Sequence, residues 1–217
     1  MNMKHFLLAG VAVTLSAAAA TAQDWTGSYF GASIGYGKGT YTQGVSALGQ
    51  LGVDVSVKDA MFGIRGGYNM QSGNTVYGFD AEISTGIDGI TPQGTLGPDW
   101  SCNTGDCNVD VKSLLTVRGR YGVLADPKTL IYGAAGIAAG RVSGGIFNSA
   151  QQGSSTAYGY TVGLGIEHQT SDRSTVFGEV NYVDLGTLDF GTGIAPADRF
   201  DGRGDFVTIK IGMNFRF

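Results

Sequence analysis

Strict alternation of apolar and polar residues over residues 207–217 (VTIKIGMNFRF) constrains the fold more than any other feature of this chain. Successive side chains of a β-strand point to opposite faces, so one face of this strand is apolar along its whole length. That face carries Val207, Ile209, Ile211, Met213, Phe215 and Phe217. The other face carries Thr208, Lys210, Gly212, Asn214 and Arg216, which suit water or a polar interior.

Seven earlier stretches repeat the alternation. They cover residues 27–37, 58–70, 75–86, 111–122, 129–140, 157–169 and 174–186. In the stretch 129–140 nearly every residue is apolar or small, so its facing is ambiguous, and we expect Tyr132 to face lipid. With the terminal strand the count is eight, an even number.

The connections between these strands alternate in length. Long connections are predicted at about 38–56, 87–109, 141–155 and 186–204, and short ones at 71–74, 123–128 and 169–174. Outer-membrane barrels have short periplasmic turns and longer extracellular loops, and they must close because an open sheet edge is not tolerated in lipid. The sequence therefore predicts an all-β fold, an eight-stranded antiparallel up-and-down transmembrane β-barrel whose last strand seals against the first.

The first 22 residues read as a cleaved signal peptide. Lys4 is followed by an apolar run to about Ala20, and the small residues Ala20 and Ala22 precede a cut before Gln23. A retained membrane anchor is the alternative, and its length and flanks disfavour it. We therefore predict a signal peptide at 1–22, a barrel domain at 23–217, and a location in the outer membrane of a Gram-negative cell.

Aromatic residues support a membrane location, because aromatic rings collect at the boundary between lipid and water. Seven of them lie beside the short turns or at the two ends of the mature chain, and we expect all seven near one rim of the barrel. They are Trp25, Tyr68, Tyr77, Tyr121, Tyr132, Phe177 and Phe217.

The inward-facing positions carry charges of both signs. The predicted charge network comprises Arg65, Asp80, Glu82, Arg118, Arg120, Glu167, Glu179, Lys210 and Arg216, and Lys112 is expected on the same inner face. An eight-stranded barrel is just wide enough for its interior to be filled by side chains, and buried charges are costly unless they pair. The sequence favours a polar plug of ion pairs, and a small diffusion channel is the alternative.

Catalysis and cofactor binding find little support. A general base is most often histidine, and after the signal peptide the chain has only His168, beside a short turn.

Cys102 and Cys107 lie in the second long connection, where their spacing suits a disulfide in an oxidising compartment. Two thiols and a distant histidine are too few ligands for zinc. We predict no enzyme activity and no cofactor. With 14 basic and 18 acidic residues, we expect no nucleic-acid partner.

The strand motifs resemble a known family. The segments GSYFGASIGYG, GFDAEIS, SLLTVRGRYG, YTVGLGIEH, EVNYVDLG and VTIKIGMNFRF are similar to those of opacity-type outer-membrane β-barrel proteins, relatives of the outer membrane protein A transmembrane domain. These are often labelled porin-family or immunogenic outer-membrane proteins. In that family the terminal strand is read by the barrel-assembly machinery. The resemblance implies the same role for Ile209, Ile211, Met213, Phe215 and Phe217.

Two functions remain from the sequence. The first is a barrel in outer-membrane lipid that serves envelope structure and contacts a host or surface ligand through four extracellular loops, since loops on a rigid scaffold are where recognition usually lies. The second is a small diffusion channel. A soluble secreted barrel that holds a small ligand is a third, weaker option.

Overall fold

The computed structural model describes residues 24–45, 48–149, 151–190 and 201–217, and the predicted signal peptide lies outside them. The strands of this part of the chain are β1 (Gly27–Val45), β2 (Gln50–Ser72), β3 (Thr75–Thr85), β4 (Asp88–Thr91), β5 (Cys107–Asp126), β6 (Thr129–Ile146), β7 (Gln152–Gln169), β8 (Ser174–Asp189) and β9 (Asp201–Arg216). Within the same ranges, no helix has the length and apolar character needed to cross a membrane.

These strands form one closed antiparallel ring. β3 and β4 are two segments of a single barrel strand, because both pair with β5 on either side of Gly86 and Ile87. Each barrel strand pairs with its neighbours in sequence, and β1 pairs with β9 from Tyr29 opposite Arg216 to Gly44 opposite Asp201. The predicted eight-stranded up-and-down barrel is confirmed, and the last strand seals against the first. The β1–β9 pairing joins the two ends of the sheet, as lipid requires.

The two ends of the barrel differ. We call the end that carries Asp24, Phe217 and the connections 73–74, 127–128 and 170–173 the turn end, and the opposite end the loop end. Over the half nearer the turn end, apolar side chains point outward and polar ones inward. This outer belt includes Phe30, Ile34, Tyr36, Phe62, Ile64, Phe79, Ile83, Leu115, Val117, Ile137, Leu164, Ile166, Val180, Ile209, Ile211 and Phe215, all exposed.

Towards the loop end the same strands continue with the pattern reversed. On β2, Val53, Val55 and Val57 are buried, whereas Asp54 and Ser56 between them are exposed. The buried side chains form a loop-end core that includes Tyr41, Val55, Val57, Trp100, Cys102, Cys107, Val109, Val142, Leu185 and Phe206. The strands therefore pass from a lipid-facing half into a half built like a water-soluble barrel.

This extension corrects the predicted loop lengths. The connections predicted at about 38–56 and 141–155 are mostly strand: β1 continues to Val45 and β2 begins at Gln50, while β6 continues to Ile146 and β7 begins at Gln152. Their outward residues are polar because they contact water, and that composition reads as loop in the sequence. The longest connection described throughout is 92–106. The expectation that Lys112 lies on the inner face is also wrong. A register shift between Val111 and Ser113 leaves its side chain exposed and not inside the barrel.

Candidate functional site in the barrel interior

Four charged side chains form a ring at the middle of the interior. Arg118 Nε lies 2.9 Å from Asp80 Oδ1, and its Nη1 lies 2.6 Å from Glu179 Oε1. Arg65 Nη2 contacts the same two carboxylates, at 3.0 Å from Asp80 Oδ2 and 3.6 Å from Glu179 Oε2. Two arginines and two acids therefore alternate around a closed circuit in which every charge has two opposite neighbours. All four are almost completely buried.

A second pair lies nearer the turn end. Arg120 Nη2 donates to Glu167 Oε2 at 2.7 Å, and its Nη1 donates to the Tyr29 hydroxyl at 3.0 Å. The other carboxylate oxygen of Glu167 accepts hydrogen bonds from the Thr175 hydroxyl and the Asn214 amide. These contacts join β1, β5, β7, β8 and β9, so the pair is held from several sides of the barrel.

A third pair joins Lys210 on β9 to Glu82 on β3, two strands that are not neighbours in the ring. With it, eight of the nine residues expected in the charge network form ion pairs inside the barrel, four cations with four anions. The ninth, Arg216, does not: its guanidinium donates to the backbone oxygen of Asp24 and lies 5.9 Å from the Trp25 ring. Because the four cations and four anions balance, they leave no net charge in the interior that water or an ion must neutralise.

The aromatic rim differs from the prediction. Tyr77, Tyr121 and Phe217 are exposed at the turn end, but Trp25, Tyr132 and Phe177 are buried inside the barrel. Trp25 and Tyr132 belong to an apolar cluster, the turn-end cluster, with Val76, Leu124, Leu130 and Ala134.

The arginines explain why aromatic rings point inward here. The Arg120 guanidinium carbon lies 4.0 Å from the Tyr132 ring centre, and that of Arg65 lies 4.3 Å from the Phe177 ring centre. A cation over an aromatic face is attracted by the ring quadrupole. The Tyr132 hydroxyl also donates to Glu179 at 2.8 Å. The expectation that Tyr132 faces lipid is therefore wrong, and no alternation in its Ala- and Gly-rich strand signalled its direction.

The interior is thus layered along the barrel axis. The turn-end cluster lies at one end, the ion pairs lie in the middle, and the loop-end core lies at the other end. A bulge in β8 between Asp184 and Thr187 helps to fill the last layer, because Leu185 within it and Leu188 and Phe190 beyond it belong to the core.

A disulfide joins the connection 92–106 to the start of β5. Cys102 and Cys107 are bonded, and both are fully buried in the loop-end core beside Trp100. The same connection is tied to β2 by a backbone hydrogen bond from Asp99 N to Leu51 O at 3.2 Å. The longest described connection is therefore folded over the core.

Removing this disulfide should loosen the connection without opening the barrel. We expect the double variant Cys102→Ser with Cys107→Ser to be cut by chymotrypsin after Trp100 several times faster than the wild type, because a buried tryptophan is protected only while its segment stays folded. Mass spectrometry of the fragments measures the rate. Tyr158 lies within β7 and should stay uncut in both proteins, which would show that the barrel itself is intact. An unchanged rate after Trp100 would show that packing alone holds the segment.

His168 lies at the turn end, away from the interior. Its Nδ1 is 2.9 Å from the Thr129 hydroxyl, and both residues are near the surface. Hydrogen bonds from the Thr129 side chain and the Lys128 backbone hold the pKa of Asp126 below its ordinary value in the adjacent turn. No group of three or more histidine, cysteine, aspartate or glutamate side chains positioned to hold a metal occurs in the part of the chain that the structure describes.

A closed ring of eight antiparallel strands, with an apolar outer belt and paired charges inside, is the architecture of an outer-membrane β-barrel protein. The chain belongs to the outer membrane protein beta-barrel domain family, whose model matches residues 6–217. It is a protein of the Gram-negative outer membrane.

Curated relatives agree with this assignment. The chain is 28% identical over 209 residues to the 31 kDa outer-membrane immunogenic protein of Brucella melitensis, covering 89% of this chain and 84% of the relative. It is 28% identical over 197 residues to the 22 kDa outer membrane protein of Rhizobium leguminosarum, covering 90% and 80% respectively. The predicted family resemblance is confirmed.

Solved structures show the same fold at low identity. OprG from Pseudomonas aeruginosa matches with a TM-score of 0.57 and 14% identity, covering 91% of this chain and 99% of OprG. Neisserial surface protein A matches with a TM-score of 0.52 and 14% identity, covering 88% and 98%. The protease OmpT from Escherichia coli also matches, with a TM-score of 0.51 and 6% identity, covering 88% and 97%. At these identities the matches show the barrel fold alone.

Proposed function

We propose that the protein is a closed structural barrel that presents a rigid surface for interaction at its loop end, and that it has no catalytic role. The observation that carries this proposal is the loop-end core. An aqueous pore needs a continuous polar path, whereas 22 buried apolar side chains fill the barrel above the ion pairs. The turn-end cluster around Trp25 fills the other end.

The orientation follows from the connections. In outer-membrane barrels the short turns face the periplasm, so the loop end of this protein faces the cell exterior. The exterior half then stands in water, which matches its polar outer face and apolar interior. The naming of the Brucella melitensis relative as immunogenic supports exposure of this surface.

The exposed tip carries apolar side chains suited to a protein partner. Leu51 at the loop end of β2, and Leu96 and Phe147 on the connections there, are 62%, 78% and 48% exposed, although the loop-end core lies inside the barrel beneath them. Exposed apolar groups on an otherwise polar surface are common at sites of protein contact. The disulfide and the bonds to β2 would hold this surface in one shape, which lowers the entropic cost of binding.

Assembly is the second part of the proposal. The five residues expected to be read by the barrel-assembly machinery lie on the outer face of the last turn-end stretch of the chain, four in β9 and one just after it, and each is at least 40% exposed. They are Ile209, Ile211, Met213, Phe215 and Phe217. A strand that is apolar along one face and hydrogen-bonds to β1 along its edge suits recognition before the barrel closes.

A small diffusion channel is the second candidate. It is favoured by buried polar atoms that have no protein partner, among them Arg65 Nε and Nη1, Arg120 Nε and Asn214 Oδ1. Such atoms are normally satisfied by water, so the middle layer is expected to be hydrated. Hydration of one layer does not make a path through the apolar layers on either side.

Conductance in planar bilayers separates the two candidates. We expect the wild-type barrel to give no stable openings at 1 M salt, because no ion crosses an apolar core of this depth without large desolvation. Insertion is verified by the shift between unheated and boiled samples on a denaturing gel, and a general porin serves as the positive control. Stable openings whose size scales with salt concentration would contradict the closed barrel and support the channel.

A further inference from the structure

The connection 92–106 brings acidic and apolar side chains together at the loop end. Asp99 Oδ2 accepts the backbone N–H of Leu51 at 3.3 Å, and Asp99 N donates to Leu51 O at 3.2 Å. At the other end of the connection, the backbone oxygen of Asp106 accepts the N–H of Phe147 at 2.9 Å. Each of these exposed acids is therefore adjacent to an exposed apolar side chain, and Leu96 is exposed on the same connection. We call these five residues the acidic–apolar surface.

The two carboxylates of this surface are held in place without being neutralised. Asp106 Oδ1 accepts the backbone N–H of Gln93 at 2.8 Å, and Asp99 is bonded to β2 as described above. Both donors are uncharged N–H groups. Among the residues that the structure describes, no lysine or arginine forms an ion pair with either acid. The disulfide between Cys102 and Cys107 further ties the connection down, so both negative charges are fixed and open to an external cation.

An excess of negative charge surrounds this surface. Within 41–54, 92–110, 141–156 and 184–205, the described residues include eight aspartates but only two arginines, and one of these, Arg203, lies 3.8 Å from Asp184. The aspartates are Asp54, Asp99, Asp106, Asp110, Asp184, Asp189, Asp201 and Asp205. The turn end is balanced, with three aspartates and three basic residues, namely Asp24, Asp126, Asp172, Lys128, Arg173 and Arg216. The excess therefore belongs to the loop end and is not a general property of the barrel surface.

Charge and apolarity together restrict the kind of partner. A negative potential attracts a cationic partner and repels an anionic sugar or phosphate. It also disfavours a second copy of this chain, which would set acid against acid. A small polar cation would leave the apolar side chains in water, whereas exposed apolar groups are typical of protein contacts. A protein segment that carries both positive and apolar side chains matches both features.

We infer that the acidic–apolar surface binds a basic segment of another protein, in which lysine or arginine side chains lie next to apolar ones. The cations would pair with Asp99 and Asp106, and the apolar side chains would cover Leu51, Leu96 and Phe147. The inference rests on the proposed function, which makes the loop end an interaction surface, and it names the class of partner.

Peptide binding to the full barrel in phosphatidylcholine nanodiscs tests this inference. The probe is a short fluorescent peptide of lysine and leucine, and peptides of lysine with serine and of glutamate with leucine are compared with it. Fluorescence anisotropy measures the affinities, and empty nanodiscs give the lipid background to be subtracted. We expect the lysine–leucine peptide to bind about tenfold more tightly than either of the others, and its binding to weaken as salt is added.

The acids are tested by the double variant Asp99→Asn with Asp106→Asn. Asparagine keeps the oxygen that accepts the backbone N–H, so the connection should stay folded while two charges are lost. We expect this variant to bind the lysine–leucine peptide about five- to tenfold more weakly, since each exposed ion pair contributes modestly. The apolar part is tested by Leu51→Ser with Leu96→Ser, which should lose most of the preference for leucine over serine in the peptide.

A matched double variant controls for net charge. Asp126→Asn with Asp172→Asn removes two exposed acids at the turn end and should keep the wild-type affinity. Heat-modifiability on a gel verifies that each variant is folded. Equal losses in the two Asp→Asn double variants, or equal affinities for the lysine–leucine and lysine–serine peptides, would overturn the site. Tighter binding of the glutamate–leucine peptide would overturn the basic partner but keep the loop end as an interaction surface. None of these outcomes bears on conductance, so the closed barrel is tested separately.

Discussion

Replacing Glu179 with alanine is expected to lower the free energy of unfolding by about 3–5 kcal/mol. Glu179 accepts hydrogen bonds from Arg118, Tyr132 and Asn181, and it lies 3.6 Å from Arg65. Its removal leaves two buried guanidinium groups to share the single carboxylate of Asp80. The penalty is that of an uncompensated buried charge, which far exceeds the net value of the original pair.

Reversible unfolding in lipid vesicles with guanidinium chloride, followed by the gel shift of the folded barrel, measures this loss. Asp172→Ala is the control, since Asp172 is an exposed acid in a turn, and it should change stability by less than about 0.5 kcal/mol. The double variant Arg118→Gln with Glu179→Gln should lose less than the sum of its single variants, because it removes both charges of one pair. Additive losses would show that the two groups are not coupled.

Placing an aspartate at Val55 is expected to destabilise the barrel by at least about 4 kcal/mol or to prevent folding, because the new carboxylate has no partner in the loop-end core. Val55 is fully buried, although it lies outside the lipid-facing half of β2. This loss of stability is expected because, in the loop-end half, apolar side chains point into the barrel and polar ones point outward. If the segment 38–56 were a solvated loop, the same substitution would be nearly neutral.

The adjacent residue gives a matched control. Ser56 is exposed on the outer face of the same strand, so Ser56→Asp should change the free energy of unfolding by less than about 0.5 kcal/mol. Both variants are compared by their folded fraction on unheated gels and by their unfolding midpoints. Equal tolerance of the two substitutions would show that the loop-end half has no water-excluding interior.

The alternation in the sequence located the lipid-facing part of the strands correctly. The alternation is informative in this part because outward residues must be apolar to contact lipid, whereas inward residues can be polar. Val207, Ile209 and Ile211 therefore point outward as expected, and Thr208 and Lys210 point inward. The inward charges could be identified for the same reason, although their partners across the barrel depend on the register and not on the pattern.

The rest depended on features that alternation does not carry. Tyr132 has small or apolar neighbours on both sides, so only its contacts with Arg120 and Glu179 determine its direction. Lys112 does not lie on the inner face because a bulge in β5 interrupts the alternation between inward and outward residues. The sequence pattern predicts loops in the loop-end half because the outward residues there are polar. The pattern alone does not indicate that the apolar residues between them form a buried core.

The reversal of pattern along each strand has a consequence for how deeply the barrel sits in the membrane. Moving the barrel outward by one residue pair would expose part of the apolar belt to water, and moving it inward would draw Lys38, Lys58 and the polar pairs above them into hydrocarbon. Both displacements raise the free energy, so the depth of immersion has a single minimum. The height of the exposed surface above the lipid is therefore set by the strands themselves, and every copy in the membrane presents it at the same level.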